Sequence, residues 1–126
     1  MNPRASIFVK VGSIFGFLAV GLGAFGAHYL KSHLTSDFLE IFQTGVSYQF
    51  YHALALVAFG LFTEKRLLVK SWPGYAFILG IITFSGSLYL LAFTQIRIFG
   101  AITPIGGVAF LAGWAGFFFQ ARSNEI

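Results

Sequence analysis

All twelve charged residues of this chain, eight Lys and Arg and four Asp and Glu, fall outside four uncharged runs at 11–30, 41–63, 71–96 and 98–121. The shortest holds twenty residues, about 30 Å of helix at 1.5 Å per residue, which is the thickness of a hydrocarbon core. An open sheet in lipid would leave backbone donors and acceptors unpaired, so runs of this length must be helices. The expected fold is all-α, an integral membrane four-helix bundle. It forms one domain over residues 1–126, with spans near 8–30, 41–63, 73–95 and 102–120.

Composition bounds the rest. With 57% apolar and 10% charged residues in 126, there is room for one bundle and no separate soluble domain. The net charge of +4 belongs to residues at membrane edges, where it sets orientation and meets anionic headgroups, so nucleic acid is not an expected partner. No cysteine is present, which removes disulfides, thiolate metal sites and iron–sulfur clusters. Arg4 and Lys10 before an apolar run resemble a secretory signal, but the run is about twice the usual h-region length, so a retained helix is expected.

Four spans put both termini on one side with the 64–70 connection. That side carries Arg4, Lys10, Lys65, Arg66, Lys70 and Arg122, and the other only Lys31 and Arg97. The excess predicts a multi-pass protein of the cell inner membrane with cytoplasmic termini. Trp72 and Tyr75, and at the opposite face Tyr29 and Tyr89, are the expected interfacial anchors. Asp37 with Glu40 reads as the N-cap pair of the second helix, and Thr103 before Pro104 as the N-cap of the fourth. The 98–102 stretch before that cap is expected at the membrane edge. A shift of sixty residues aligns Lys10 with Lys70, Phe17 with Phe77, Gly26 with Gly86, Tyr29 with Tyr89 and Leu30 with Leu90, a weak parallel repeat.

Helix packing in lipid depends on close backbone approach at small residues. Gly12, Gly16, Ala19, Gly23 and Gly26 form such a stripe on the first helix. Ala76, Gly80, Thr83 and Ser87 form one on the third, and Gly106, Ala109, Gly113 and Gly116 one on the fourth. Their spacing predicts a tightly packed left-handed bundle. Phe15, Phe17, Phe77, Phe84, Phe117 and Phe118 are then expected to face mostly lipid.

His52 is the leading candidate site, because an ionisable group near mid-membrane is costly and functional by default. Thr44, Tyr48 and His52 recur every four residues and share a face, flanked by Gln49 and Tyr51. A neutral imidazole there could bond Ser85, Ser87 or Thr83 on the third helix and simply tie helices together. Proton relay, ligand contact or cofactor binding are the functional alternatives. A second candidate lies at the outer face, where His28, Thr103, Gly106 and Gly107 combine a histidine with a helix N-terminus suited to an anion or lipid phosphate. His28, His33, Asp37 and Glu40 match no compact ligand spacing, and a haem between His28 and His52 would need both at one depth. No metal or cofactor is therefore expected. Phosphate-loop, dinucleotide, nucleophile-elbow and zincin motifs are absent from the sequence. An enzyme is not expected.

Four ordered segments, GLGAFGAH at 21–28, TGVSYQFYHALAL at 44–56, FSGSLYLLA at 84–92 and ITPIGGVAFLAGW at 102–114, together resemble the YgdD/YwdK-like family. These are small four-helix bacterial inner-membrane proteins of unknown function. The resemblance covers nearly the whole chain and implies a membrane bundle without naming an activity, substrate or cofactor. Any shared role would lie in the motif residues, notably His28, Tyr48, His52, Ser85, Ser87, Tyr89, Thr103, Pro104 and Trp114. The expected function is that of a non-enzymatic membrane protein, an accessory, scaffold or lipid-contacting factor. Membrane lipid, a second copy or another membrane protein are its expected partners. The alternative is a small-solute or proton-linked transporter or channel using the Thr44–Tyr48–His52 seam. Topology is testable directly: reporter fusions after Ile126 and within 65–70 should read cytoplasmic and one near His33 external. An external C-terminus would overturn both the span count and the orientation.

Overall fold

A computed structural model describes residues 1–121, so Arg122, counted above on the basic side, lies outside the described residues. The elements are α1 (Pro3–His28), a 3₁₀ turn (Leu30–Ser32), α2 (Ser36–Thr63), α3 (Trp72–Gly80), a π turn (Ile81–Ser85), α4 (Gly86–Thr94), a second 3₁₀ turn (Arg97–Ala101) and α5 (Thr103–Gln120). No strand occurs among the described residues. α3, the π turn and α4 run on as one helix, Trp72–Thr94, so four helices are long and apolar enough to cross a membrane. α2 is the hub, packing along α1 on one side and against α4 and the π turn on another, while α5 rests on α3 and the π turn.

The helix starts differ from the sequence expectation in instructive ways. α1 begins at Pro3, ahead of the span expected near 8–30, because Asn2 caps it: the Asn2 side-chain oxygen accepts from the Ala5 N–H at 2.8 Å, with proline in the first turn. α2 is capped by Thr35, whose hydroxyl accepts from the Phe38 N–H at 3.5 Å, so Asp37 sits in the first turn and is not the cap. α5 starts at Thr103 with Ile102 as N-cap. The Thr103 hydroxyl is instead bonded to Ser87 across the helix interface, at 2.6 Å. α4 stops sharply at Gln95, which adopts a left-handed conformation (φ 59°) and donates its N–H to Leu91 O at 2.8 Å.

Backbone contact replaces hydrophobic drive between the helices. A Cβ on Gly12 would lie 2.8 Å from the Ala53 carbonyl oxygen, and one on Gly60 would lie 2.9 Å from the Ala5 carbonyl oxygen, so α1 and α2 touch main chain to main chain at two levels. Gly106 does the same for α5, where a Cβ would strike the backbone of Phe84 in the π turn. Gly26, Gly80, Gly113 and Gly116 admit aromatic rings, those of Phe42, Phe110, Phe77 and Trp72 respectively. Gly16 and Gly23 are looser, with Ala53 and Val46 side chains at 3.9 and 3.4 Å, and Ala19 is buried.

The core is aromatic. Phe8, Leu56, Phe59, Phe77, Ile81 and Phe110 form its main cluster, and Leu30, Phe42 and Ala92 a second one toward the other end. This corrects the expectation that the phenylalanines face lipid: Phe77 is 0% exposed, and Phe15, Phe84 and Phe117 are half-buried against the core. Phe17 and Phe118 are the two of that set that point outward. Rings placed opposite glycines fill the space those glycines leave. The sixty-residue shift fares poorly in three dimensions. Phe17 is exposed and Phe77 buried; Gly26 grips Phe42 while Gly86 faces open space. Leu30 is buried and Leu90 exposed, and of the matched pairs only Lys10 and Lys70, both exposed, have a like environment.

The N-terminal end is closed by polar bonds. The Arg4 guanidinium donates to the carbonyls of Arg66 (2.7 Å), Thr63 (3.4 Å) and Val69, clamping the connection that follows α2 onto α1; the first two carbonyls also accept the Val69 and Arg66 N–H groups. Asn2 donates its N–H to the Glu64 carboxylate at 3.0 Å and its amide to the Glu64 carbonyl at 2.7 Å. Gln120 accepts from the Lys70 N–H at 3.3 Å, which brings the end of α5 to the same connection.

The glycine contacts generate a graded prediction. Gly12→Ala and Gly106→Ala, which push a methyl into backbone, should each cost about 1–3 kcal/mol of bundle stability. Gly21→Ala meets nothing within 4 Å and should be neutral. Reversible denaturation in detergent micelles checks this, and equal stability of all three would mean the α1–α2 and α5 contacts are misassigned.

Candidate functional site

The polar residues of the interior do not form a continuous seam; they form separate ties between helices. The first is built on two residues of α2 four apart, Gly45 and Gln49, facing Ser85 of the π turn and Tyr89 of α4, also four apart. The Ser85 hydroxyl donates to the Gly45 carbonyl at 2.6 Å. Because Gly45 has no side chain, the Tyr89 ring lies across it, with a Cβ there only 2.8 Å from the ring. The phenol thereby reaches Gln49 and donates to its Oε1 at 2.6 Å. The Gln49 amide then donates to the Phe15 carbonyl of α1 at 2.9 Å. One chain of bonds thus links α4, α2 and α1.

The second tie is His52 with Trp114. Indole N–H is a donor only, and Trp114 Nε1 lies 3.0 Å from His52 Nε2, so Nε2 is the acceptor. Nδ1 therefore carries the proton and donates to the Tyr48 carbonyl at 2.8 Å. The ring stacks on Phe110 with centroids 3.5 Å apart and planes 10° apart, and Phe77 and Trp114 close its surroundings. Both nitrogens are committed. The expected partners on the third helix are corrected: Ser85 is turned to Gly45, Ser87 to Thr103 and its own helix, and His52 binds α5 instead. The third tie is that Ser87–Thr103 pair, linking α4 to α5.

The remaining seam residues lie elsewhere. Thr44 donates to the Glu40 carbonyl of its own helix at 3.0 Å. Tyr48 is exposed, its ring packed on Phe84 with centroids 4.7 Å apart, and Tyr51 is exposed as well. The Thr44–Tyr48–His52 face therefore lacks a run of side-chain hydrogen bonds leading outward.

The outer-face candidates are not brought together as an anion cradle either. Gly106 is buried against Phe84 backbone, Gly107 is half-buried beside the Phe84 ring, and Thr103 is tied to Ser87. His28 is exposed at the end of α1. His33 stacks on Tyr29 with centroids 4.0 Å apart and bonds the Tyr29 carbonyl, and no group of three His, Asp or Glu that could hold a metal occurs among the described residues.

Two residues carry more of the interior than sequence reasoning gave them. Tyr89, expected as an interfacial anchor, places its hydroxyl inside the bundle, and Trp114 supplies the donor for His52. The matched four-residue spacings, Gly45 with Gln49 and Ser85 with Tyr89, were the available signal for the first. The His52–Trp114 tie predicts a measurable coupling. A double-mutant cycle with His52→Leu and Trp114→Phe should give about 0.6–1.7 kcal/mol, the range of polar ties between membrane helices. His52→Gln, which keeps an acceptor, should lose less than His52→Leu in the same denaturation assay. Strictly additive single variants would mean the bond adds nothing to stability.

Comparison with known proteins agrees with this architecture. Residues 22–107 match the family model described as protein of unknown function (DUF423). The UPF0382 membrane protein SSP2132 of Staphylococcus saprophyticus is 47% identical over 108 residues, covering 86% of this chain and 90% of its own. The UPF0382 membrane protein YwdK of Bacillus subtilis is 47% identical over 110 residues, covering 86% and 89% respectively. No solved structure matches. With its four membrane-capable helices and near full-length relatives named as membrane proteins, the chain belongs to the DUF423 family of membrane proteins of unknown function.

Proposed function

We propose that this protein is a non-enzymatic accessory component of the cell inner membrane, acting through its lipid-exposed helical faces. One observation carries the reading: every buried side-chain nitrogen and oxygen among the described residues already has a hydrogen-bond partner within the chain. Catalysis or transport needs polar groups with capacity to spare for a substrate or a water path. Here the polar interior is spent on holding helices together, while long apolar faces of α1 and α5 stay outward, with Phe17, Val20, Leu111 and Phe118 each more than 60% exposed. The excess of Lys and Arg at the end that holds Arg4 and the 64–70 connection supports placing that end in the cytoplasm. The test is reconstitution in liposomes loaded with a pH-sensitive dye. Under an imposed pH gradient the protein should add no proton flux over empty vesicles, and flux lost in His52→Ala would overturn the accessory reading in favour of transport.

A further inference from the structure

The outward side of the α1–α2 pair carries a groove of about 600 Å³, lined by Gly12, Ser13, Gly16 and Gly21 of α1 and by Ala53 and Val57 of α2. Phe17, Phe50 and Leu54 form its rims, and a smaller hollow of about 260 Å³, sharing Val20 and Phe50, continues it toward Val46 and Tyr51. Beyond its first turns, where Phe8 also meets Gly74 and Tyr75 of α3, α1 packs chiefly against α2, and most of its remaining surface is open.

We propose that this groove seats the acyl chains of an anionic phospholipid whose phosphate is held by Lys10. This deepens the accessory reading and rests on it. Charge separates the lipid from a second copy of the chain: copies inserted in the same orientation and meeting by this face would set one exposed Lys10 against the other, whereas an anionic headgroup neutralises it. The floor is small residues and the rims are aromatic and branched, a shape that receives flexible chains; its one polar side chain, Ser13, donates its hydroxyl to the Val9 carbonyl of its own helix at 2.7 Å.

Charge selects the headgroup. Lys10 is seven residues into α1, about 10 Å from its start, yet is exposed and has no ion-pair partner among the described residues. It shares a helix face with Ser13, Phe17 and Gly21, at offsets of three, seven and eleven residues, so it stands at the groove mouth. Its side chain leans toward the helix N-terminus, and snorkelling carries the ammonium to the phosphate level. A zwitterionic lipid would offer the same chains but weaker charge pairing.

The full-length protein, released from vesicles of equal phosphatidylcholine and phosphatidylglycerol into mild detergent, is read by native mass spectrometry for each retained lipid. Phosphatidylglycerol should dominate on the wild type, and Lys10→Gln should lower its preference about fivefold, the effect of one basic residue near an anionic surface. Gly21 lines the groove and a Cβ there would meet nothing within 4 Å, so Gly21→Leu should fold normally by thermal melting yet lose the bound lipid. An unchanged lipid ratio in Lys10→Gln, or full retention in Gly21→Leu, overturns the proposal. So does a dimer that Gly21→Leu disperses while the lipid ratio stays put, since the groove is then an interface between copies. Each of those outcomes leaves the accessory reading standing, because that reading fails on proton flux and not on lipid retention.

Discussion

An apolar helix in hydrocarbon gains nothing from leaving lipid for another apolar helix, so this bundle depends on how closely two backbones can approach. Gly12 against the Ala53 carbonyl, Gly60 against the Ala5 carbonyl and Gly106 against Phe84 are the places where that approach is closest. Everything else is arranged around them. At the two levels where α1 meets α2 main chain to main chain no bulky side chain fits between them; elsewhere along the pair Phe8 meets Phe59 and Phe42 fills the slot at Gly26, and further rings gather toward α3 and α5. There glycines 80, 113 and 116 open slots for them. The result is a core of interlocked rings and glycines, with dispersion as its main cohesive term.

Polar bonds then fix rotation and register, which glycine contacts alone leave loose. α2 is the centre of this second system. Gln49 joins it to α1 and α4, and His52 joins it to α5. The π turn has a part in both systems. It presents Phe84 backbone to Gly106 and the Ser85 hydroxyl to Gly45 within two consecutive residues. An inserted residue rotates the helix beyond it relative to the helix before it, and such turns are often kept for a local purpose. Here it brings one side of the third helix to α5 and the adjacent side to α2.

The four spans were legible in the sequence because exclusion of charge from lipid is a strong constraint and leaves runs whose length is visible. Which way each helix faces was not. Around these helices apolar and polar residues hardly segregate, so rotation has little sequence signal. Phe77 and Phe17 look alike on paper and have opposite environments. The candidate residues could be named by the cost of burying them, yet their pairings could not. His52 chose Trp114 over a serine, and Thr103 chose Ser87 over its own helix end, because pairing depends on depth and rotation together. Tyr89 shows the same limit: a tyrosine near a span end reads as an anchor until Gly45 gives it a way inward.

A transporter that rocks one half against the other must have an interface whose polar contacts exchange between two arrangements. In this bundle α2 holds α1, α4 and α5 through bonds on Gln49 and His52, three residues apart on one helix. Moving α5 away from α2 would strand the His52 acceptor. Moving α4 away would strand Gln49 and Tyr89, and in lipid such groups have no water to turn to. α1 is held mainly by its backbone. Its one interior side-chain bond is from Gln49 to the Phe15 carbonyl, and losing it would strand the buried Gln49 amide as well, while Gly12 and Gly60 bring its main chain against α2 at two levels. The four spans are therefore tied into one body, and what is left for lipid or a partner is the outward surface of the α1–α2 pair, where the groove lies.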